Sequence, residues 1–370
     1  MDRIYLASPH MSKEGFEREY VKEAFDTNWI APLGENVNKF EEAVANYVEV
    51  NSAAALSSGT AAIHMAVKAA GVKKGDIVFC QSLTFSATAN PIIYEEAVPV
   101  FIDSEMDTWN MDPKALKKAF EKYPNVRLVI AVNLYGNPAK LDEILKICNE
   151  HNATLIEDAA ESLGSLYRGK QTGTYGKYGV YSFNGNKIIT TSGGGMLVSD
   201  DEEKIQKVRF WATQSREKAM YYEHKEIGYN YRMSNICAGI GRGQMKVLDE
   251  RIAQKTEIYE RYKGTLEKDD FEMIPVPDNS VPNHWLSVAI IKNKEKYSPT
   301  KIIEALSSNS IEARRVWKPM HLQPVFKDCD FIKVEETPVA DYLFENGICL
   351  PSDTKMTKAD QDRVINVINS

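Results

Sequence analysis

The sequence is organised around residues 181–195, which read YSFNGNKIITTSGGG. The residues before Lys187 are aromatic and β-branched, so they predict a buried strand over residues 178–183, and the Gly-rich turn leads into a second apolar run. A lysine at such a place is costly to bury unless it is paired, reaches water, or is converted to a Schiff base. This stretch alone also fits two other roles for Lys187, as a surface lysine in a hairpin or as a lysine that holds a phosphate.

Short apolar runs alternate with amphipathic segments upstream of Lys187. Predicted strands cover residues 77–80, 98–103, 126–133 and 154–158, and predicted helices cover residues 14–27, 37–48, 61–71, 113–122 and 140–150. Nearly continuous apolar strands that alternate with helices predict an α/β fold with a mostly parallel central sheet flanked by helices. Ligands of such sheets bind where the strands end, and Asn133, Asp158 and the turn after Phe183 lie at those ends.

The C-terminal third predicts a smaller α+β domain. A long helical segment over residues 234–268 is followed by a Pro- and Asp-rich connection over residues 271–283, and the remaining predicted elements are strands at 285–292 and 311–317 and helices at 300–307 and 358–368. We therefore predict a large domain over residues 1–245, and a connecting helix with a small domain over residues 246–370.

The composition of the chain argues against several classes of protein. The 45 basic and 52 acidic residues are scattered along the chain, so the sequence predicts no nucleic-acid partner. The five cysteines are widely spaced among apolar neighbours, as expected of reduced thiols, and no apolar run approaches the roughly 18 residues of a membrane span. We expect a cytoplasmic protein without a membrane partner. The histidines show no close metal-ligand spacing, so no metal site is expected.

Four features, of which Lys187 is one, belong to one chemistry. A hydroxyl-rich start of a helix at Ser58, Gly59 and Thr60 suits a phosphate, although ordinary N-capping explains it as well. Asp158 at a strand end would keep a pyridinium nitrogen protonated, and the aromatic ring of Phe85 would stack on a cofactor. With Lys187 as the Schiff-base amine, this set is what pyridoxal 5′-phosphate (PLP) requires.

Several motifs then resemble the DegT/DnrJ/EryC1/StrS family of sugar aminotransferases. They are residues 57–62 (SSGTAA), 84–88 (TFSAT), 157–161 (EDAAE), 181–183 (YSF) with Lys187, and 228–234 (GYNYRMS). The resemblance covers essentially the whole chain and implies the type I fold of aspartate aminotransferase. Residues 28–34 (NWIAPLG) and 184–191 (NGNKIITT) look most like the C4 aminotransferases that make UDP-4-amino-4,6-dideoxy-N-acetylglucosamine, on bacillosamine-type routes to bacterial glycans.

The resemblance implies a role for individual residues around the cofactor. Lys187 would be the catalytic amine and proton shuttle, and Asp158 the partner of the ring nitrogen. The other implied cofactor contacts are Gly59, Thr60 and Ser182 at the phosphate, Phe85 on the ring, Glu161 near O3′, and Asn230 reaching the phosphate of the neighbouring subunit. The last contact implies a homodimer with two shared sites. Glu161 stands where the broader family often has Gln or His.

Substrate contacts are also implied by the resemblance. They are Asn28, Trp29, Asn186, Tyr229, Arg232, Arg314, Trp317 and His321. Arg315 stands where close relatives usually have Pro, so no role is assigned to it. The Trp-Ile pair at residues 29–30 also fits a plug of the core, and that alternative stays open. A branch of the family that removes a sugar hydroxyl has His in place of the lysine, so the presence of Lys187 favours transamination.

The implied function is the transfer of an amino group by PLP, through its pyridoxamine phosphate form. L-Glutamate would be the donor, and the acceptor would be C4 of a UDP-linked 4-keto-6-deoxy-N-acetylhexosamine. One alternative is a C3 or C4 aminotransferase of a dTDP-linked keto sugar, and another is a PLP-binding regulator that has lost catalysis. A nicotinamide-dependent oxidoreductase lacks its glycine fingerprint in this sequence.

Overall fold

The computed structural model describes residues 2–266 and 270–369. The α-helices are α1 (Phe16–Asp26), α2 (Glu35–Val48), α3 (Gly59–Ala69), α4 (Ser86–Tyr94), α5 (Pro113–Lys122), α6 (Leu141–Glu150), α7 (Glu202–Ala212), α8 (Asn235–Met245), α9 (Leu248–Leu266), α10 (Pro299–Ser308), α11 (Val339–Asn346) and α12 (Lys358–Asn369). The strands are β1 (Ser52–Leu56), β2 (Ile77–Gln81), β3 (Val98–Ile102), β4 (Leu128–Val132), β5 (Thr154–Asp158), β6 (Leu166–Tyr167), β7 (Lys170–Gln171), β8 (Tyr178–Ser182), β9 (Gly195–Ser199), β10 (Phe271–Met273), β11 (Ser280–Val281), β12 (Ser287–Ile291), β13 (Arg314–Arg315), β14 (Phe331–Ile332) and β15 (Gly347–Leu350).

An eight-stranded sheet forms the centre of the molecule, in the order β1-β9-β8-β5-β4-β2-β3-β14. Its strands β14, β3, β2, β4, β5 and β8 pair in parallel, whereas β9 runs antiparallel to both β8 and β1. The sequence prediction of a mostly parallel sheet is confirmed. Because the pairing of β5 with β8 is parallel, the carboxyl ends of both strands lie at the same edge of the sheet, where Asp158 and the Lys187 turn follow them.

Both faces of this sheet are covered, which is why its strands are apolar throughout. One face packs against α3 and α7 through residues such as Ile63 and Val208. The other packs against α5 and α6 through Leu116 and Ile144. Helix α5 begins as its sequence predicts, with the Asp112 carboxylate accepting from the Lys114 N–H at 2.8 Å and a proline in the first turn.

A second sheet of four strands, in the order β10-β12-β15-β13, is antiparallel and belongs to the C-terminal part of the chain. It packs with α9, α10, α11 and α12 around a core that includes Trp285 and Tyr262. A third, three-stranded sheet contains β11, β6 and β7. The short strand β14, from the C-terminal part of the chain, joins the large sheet beside β3. In the other direction, Ile4 near the N-terminus pairs with Ile311 of the C-terminal part.

The C-terminal third differs from the sequence prediction in several details, and α11, β14 and β15 are not among the predicted elements. The predicted long helix is two helices, α8 and α9, because Lys246 and Val247 bond to carbonyls three residues back and tighten the chain into a turn; its predicted last residue, Lys268, lies outside the described residues. The strand predicted over residues 311–317 is reduced to β13. The connection over residues 271–283 contains β10, which pairs with the nearby β12, and β11, whose partner β6 is distant in sequence.

Among the described residues, no helix is both long enough and apolar enough to cross a membrane.

Candidate active site

A cavity of about 730 Å³ opens where β5 and β8 end and the small antiparallel sheet approaches the large one. Asp158 and Ser182 come from the ends of β5 and β8, and Lys187 comes from the turn that follows β8. Trp285 and Arg314 reach the cavity from the side of the small sheet. Residues from the C-terminal third therefore form part of the wall of the strand-end site that the sequence predicts.

Lys187 is held in the cavity wall rather than exposed in a hairpin. Its side chain is 12% exposed, its Nζ lies 3.5 Å from Glu161 Oε1, and the same nitrogen is 4.0 Å from the centroid of the Trp285 ring. The turn is fixed from two sides, because Lys187 N donates to Asn184 O at 3.0 Å and Trp285 Nε1 donates to Asn186 O at 2.7 Å. The amine is thus presented to the cavity by a rigid turn.

Asp158 is a carboxylate buried beneath the cavity, with 4% of its surface exposed. Thr88 Oγ1 donates to its Oδ2 at 2.6 Å, and the Ala160 N–H donates to its Oδ1 at 3.1 Å. Burial raises the pKa of Asp158, and these two donors and the nearby Lys187 oppose that shift. A carboxylate in such surroundings favours a cationic partner, which is what a protonated pyridine nitrogen would supply.

Glu161 is the second buried carboxyl group beside Lys187. Burial raises its pKa to about 7, although Lys187 and the Tyr135 N–H favour the ionised form. The Tyr135 N–H donates to Glu161 Oε2 at 2.6 Å from a left-handed backbone conformation with φ of 57°, which is uncommon for a bulky residue. Asp158 and Glu161 therefore differ from an ordinary surface pair of carboxylates, and both line the cavity together with Lys187.

A further part of the cavity wall has the form of an anion cradle. Ser58 caps α3 by accepting from the Ala61 N–H at 3.0 Å, so the first N–H groups of the helix, at Gly59 and Thr60, face the cavity. A Cβ at Gly195 would lie 2.3 Å from Ser58 O, and one at Gly59 would lie 3.0 Å from Ser182 Cβ. The cradle depends on glycines that let three backbone segments approach each other.

The residues present fit PLP. The cradle offers helix N–H groups and hydroxyls to a phosphate, Asp158 offers a carboxylate to the ring nitrogen, and Lys187 offers an amine to the aldehyde. Phe85, which is more than half exposed, stands over the same cavity with its ring 5.5 Å from that of Trp317. Asn186, Glu161 and Arg314 also line the cavity, as their predicted roles require.

Arg232 and Tyr229 do not line this cavity. The Arg232 guanidinium is bound within its own chain, because NH1 donates to Glu41 Oε1 at 2.6 Å and to Ala55 O at 3.0 Å. Tyr229 stacks on Tyr231 beside His64. The prediction that these two residues contact substrate has no support from a single chain, because their side chains are engaged elsewhere in the fold.

His321 is also outside the cavity, and both of its ring nitrogens lie beside polar side chains. Nδ1 lies 2.7 Å from Ser82 Oγ, Nε2 lies 3.0 Å from Asp341 Oδ1, and the ring stacks on Phe331. The order Ser-His-Asp has the form of a hydrolase triad, but Ser82 is completely buried and no substrate could reach it. Burial lowers the pKa of His321 to about 4, so the ring is neutral near pH 7.

Asn28, Trp29 and Asn230 lie on the surface, away from the cavity of their own chain. Trp29 is 48% exposed, so the alternative of a core plug is wrong. Asn230 is held at the surface because residues 229–233 bond along α7 and the edge of β1, for example through Ser57 N to Tyr231 O at 2.7 Å. A role for these residues requires a second copy of the chain.

Three residues of the site were not assigned a role from the sequence. Trp285 was interpreted only as the start of a strand, since no local pattern separates a core tryptophan from one that touches a lysine. Thr88 lies inside the TFSAT motif without a role, and its spacing of four residues from Thr84 is the signal that could have paired them, at 2.6 Å. Arg315 lines the cavity although no role was given to it.

The chain matches the model of a known protein family and is similar to several known proteins over nearly its whole length. The family model described as the DegT/DnrJ/EryC1/StrS aminotransferase family matches residues 11–369. The chain is 55% identical to EpsN of Bacillus subtilis, which is described as a pyridoxal phosphate-dependent aminotransferase, over 99% of this chain and 95% of that one. It is 35% identical to the GDP-perosamine synthase of Caulobacter vibrioides, over 99% and 97% of the two chains.

A further relative and a solved structure are similar over most of their length. The UDP-4-amino-4,6-dideoxy-N-acetyl-beta-L-altrosamine transaminase of Campylobacter jejuni is 31% identical, over 88% of this chain and 87% of that one. The sugar aminotransferase Spr1654 from Streptococcus pneumoniae, in its PMP form, superposes with a TM-score of 0.91 over 99% of this chain and 97% of that one, at 22% identity. That structure shows that the two chains share a fold.

Proposed function

The chain belongs to the DegT/DnrJ/EryC1/StrS aminotransferase family, and we propose that it aminates C4 of a UDP-linked 4-keto-6-deoxy-N-acetylhexosamine with L-glutamate as donor. It is a PLP-dependent sugar aminotransferase with the type I fold. The proposed product is UDP-4-amino-4,6-dideoxy-N-acetylglucosamine, for the synthesis of bacterial glycan or polysaccharide. The observation that carries the proposal is the cavity in which Lys187, Asp158 and the glycine cradle face one another beside a substrate-sized space.

The chain's own residues account for the binding and the proton transfers. When bound, PLP supplies the electron sink and carries the amino group between the two half-reactions. Lys187 Nζ accepts the proton that leaves Cα of L-glutamate, and it donates the proton that C4 of the sugar gains. Overall, L-glutamate becomes 2-oxoglutarate, and the C4 ketone becomes an amine that carries a new C–H bond. The same cavity serves both substrates in turn, so the kinetics are ping-pong.

Cations at the mouth of the cavity suit the diphosphate of a nucleotide sugar and the carboxylates of the donor. Arg314, Arg315 and Lys318 line the same cavity, and Arg314 is largely exposed, with bonds to Glu312 Oε1 at 2.7 Å and to Ala313 O at 3.2 Å. Exposed guanidinium groups are available for bidentate binding of an anion. We assign the diphosphate to these cations.

Support for a UDP-linked acceptor comes from two sources. The NWIAPLG and NGNKIITT motifs resemble the C4 aminotransferases of UDP-linked sugars. A relative at 31% identity is named for a UDP-4-amino-4,6-dideoxy product. A GDP-linked keto sugar is the second candidate, because a GDP-perosamine synthase is 35% identical over nearly the whole chain.

Transfer of nitrogen from a labelled donor tests the reaction itself. Purified protein with PLP, L-[¹⁵N]glutamate and the UDP-linked 4-keto sugar is expected to give a ¹⁵N-labelled amino sugar and an equal amount of 2-oxoglutarate, measured by mass spectrometry. Lys187→Ala is expected to lose at least about 10²-fold in rate, as removal of a general acid–base does. Full activity of this variant would contradict the role of Lys187.

We further propose a homodimer in which Asn230 of one chain completes the phosphate site of the other. The exposed positions of Asn28, Trp29 and Asn230 are consistent with this arrangement. Mixing Lys187→Ala and Asn230→Ala chains tests it, because each hybrid dimer would contain one intact site. After random exchange, about a quarter of the wild-type activity is expected from two inactive parents, as two-fold symmetry requires. Hybrids without activity would place Asn230 in the site of its own chain, and full activity of the Asn230→Ala parent by itself would place Asn230 outside both sites.

A further inference from the structure

Lys255 of α9 is a buried lysine that the reaction described above does not use. It is 4% exposed, and its Nζ donates to two backbone carbonyls, Trp285 O at 2.9 Å and Ser352 O at 2.6 Å. Within residues 2–266 and 270–369 no carboxylate oxygen is found within 4.0 Å of this nitrogen. Burial lowers the pKa of Lys255 to about 8, and Asp353 opposes the shift. Burying an ammonium without a paired carboxylate costs folding free energy. We therefore look for the role of Lys255 in the two backbone segments whose carbonyls it binds.

The two carbonyls belong to segments that flank the paired part of β12 and β15. Strands β12 and β15 pair from Ser287 with Leu350 onwards, and Trp285 and Ser352 each lie two residues beyond that pair. The Ser287 N–H donates to Ser352 Oγ at 2.8 Å, so Lys255 closes the end of the ladder where direct strand pairing stops. The ammonium fixes the distance between the two segments at that end.

Trp285 is the residue through which this contact reaches the active site. Its N–H donates to Asn283 Oδ1 at 2.9 Å and its carbonyl accepts from Lys255, so the backbone is held on both sides. Its indole donates to Asn186 O, and its ring lies 4.0 Å from Lys187 Nζ. A ring at this distance attracts a cation and also covers one side of the amine.

We propose that Lys255 is a positioning residue that holds the Trp285 indole against Lys187, and so fixes the direction in which the Lys187 amine faces the cavity. Lys255 does not touch the reacting atoms. Its effect passes through the Trp285 carbonyl, the indole and the Asn186 carbonyl to the turn that carries Lys187. The proposal rests on the proposed catalytic role of Lys187, which the Lys187→Ala variant tests separately.

The reactivity of Lys187 in cofactor-free protein measures this positioning without the reaction. Wild type, Lys255→Met, Trp285→Phe and the double variant are treated with a limiting amount of acetic anhydride, and acetylation of Lys187 is measured by mass spectrometry against exposed Lys74 in the same sample. Lys255→Met is expected to raise the labelling of Lys187 about fivefold, the factor that corresponds to loss of a cation–ring contact of modest strength. Lys74 is the internal control, because it lies on the surface and bonds only to Glu96 among the residues described.

The double variant separates positioning from a general loss of stability. If Lys255 acts through the indole, its substitution adds little to the labelling of Lys187 in the Trp285→Phe background. In a chain that keeps Trp285, substitution of Lys255 then lowers kcat and leaves KM for L-glutamate little changed. Additive effects, or a lowered melting temperature with unchanged labelling, would overturn the proposal. Lys255→Gln, which keeps a neutral donor, is the second variant. Failure of both Lys255 variants to fold would assign this residue to stability and overturn the proposal as well.

Discussion

Replacing Glu161 by Gln is expected to change how the stability of the cofactor-free protein depends on pH. Burial raises the pKa of this carboxyl group from 4.5 in its ordinary state to about 7. A carboxyl group whose pKa is raised by folding binds its proton more tightly in the folded state, so it is least harmful below pH 4.5 and destabilises the fold as pH rises towards 7. The shift corresponds to about 3 kcal/mol of stability lost across that window. Glutamine cannot ionise and avoids this loss.

The assay is the melting temperature of wild type and Glu161→Gln at pH 5 and pH 8.5, at one protein concentration and one heating rate. For 370 residues, about 3 kcal/mol corresponds to about 4 °C, since the unfolding entropy is about 2.1 cal/mol/K per residue. The melting temperature of Glu161→Gln relative to wild type is therefore expected to rise by about 4 °C between the two pH values. Glu143→Gln, at an exposed position in α6, is the matched control and should show no such rise.

A difference that stays constant with pH would refute the reasoning, because it would mean that burial does not raise the pKa of Glu161. A difference that falls as pH rises would show that Lys187, 3.5 Å away, keeps the carboxylate ionised and makes it stabilising.

Two further variants test the cofactor contacts. Thr88→Val removes the 2.6 Å bond to Asp158, and because a hydrogen bond to a charged group contributes about 1.5–3 kcal/mol, kcat is expected to fall by about 10–100-fold; an unchanged kcat would contradict the role of Asp158, and Thr84→Val should cost less. Gly59→Ala places a Cβ 3.0 Å from Ser182 Cβ in the cradle, and overpacking of about 1–3 kcal/mol predicts a rise of at least about fivefold in the Kd of PLP, measured by absorbance. Gly264→Ala, where a Cβ meets nothing within 4 Å, is its control, and equal Kd values for both variants would argue against the cradle.

The parts of the fold that follow from local pattern were predictable from the sequence. The apolar runs at β2, β3, β4, β5 and β8 are long and continuous, and helix α5 matches its predicted bounds because Asp112 and Pro113 mark its start. The two-residue strands β13 and β14 have too few residues to give a pattern, and they exist through pairing with distant partners. The division of the chain at residues 245 and 246 stays a prediction.

The residues of the candidate site also fall into those that the sequence predicts and those that it does not. Lys187, Asp158 and Gly59 follow strand ends or a helix start, so their positions could be inferred before the topology was known. Trp285 contacts the Lys187 turn from the small sheet, and nothing in the neighbouring sequence indicates this contact or the bonds of the Lys255 ammonium to the carbonyls of Trp285 and Ser352. The roles of Arg232 and His321 are implied by the resemblance alone. In this chain Glu41 binds the Arg232 guanidinium, and Ser82 and Asp341 lie against the neutral His321 ring.

The measurement that tests the central claim most directly is a comparison of kcat/KM for matched 4-keto-6-deoxy sugars linked to UDP, GDP and dTDP, with L-glutamate as the donor and the product structure assigned by NMR. The account predicts that the UDP-linked N-acetylhexosamine is preferred by at least about tenfold, which corresponds to about 1.4 kcal/mol in the transition state, with the new amine at C4. Equal or greater kcat/KM for the GDP- or dTDP-linked sugar, or an amine at C3, would contradict it.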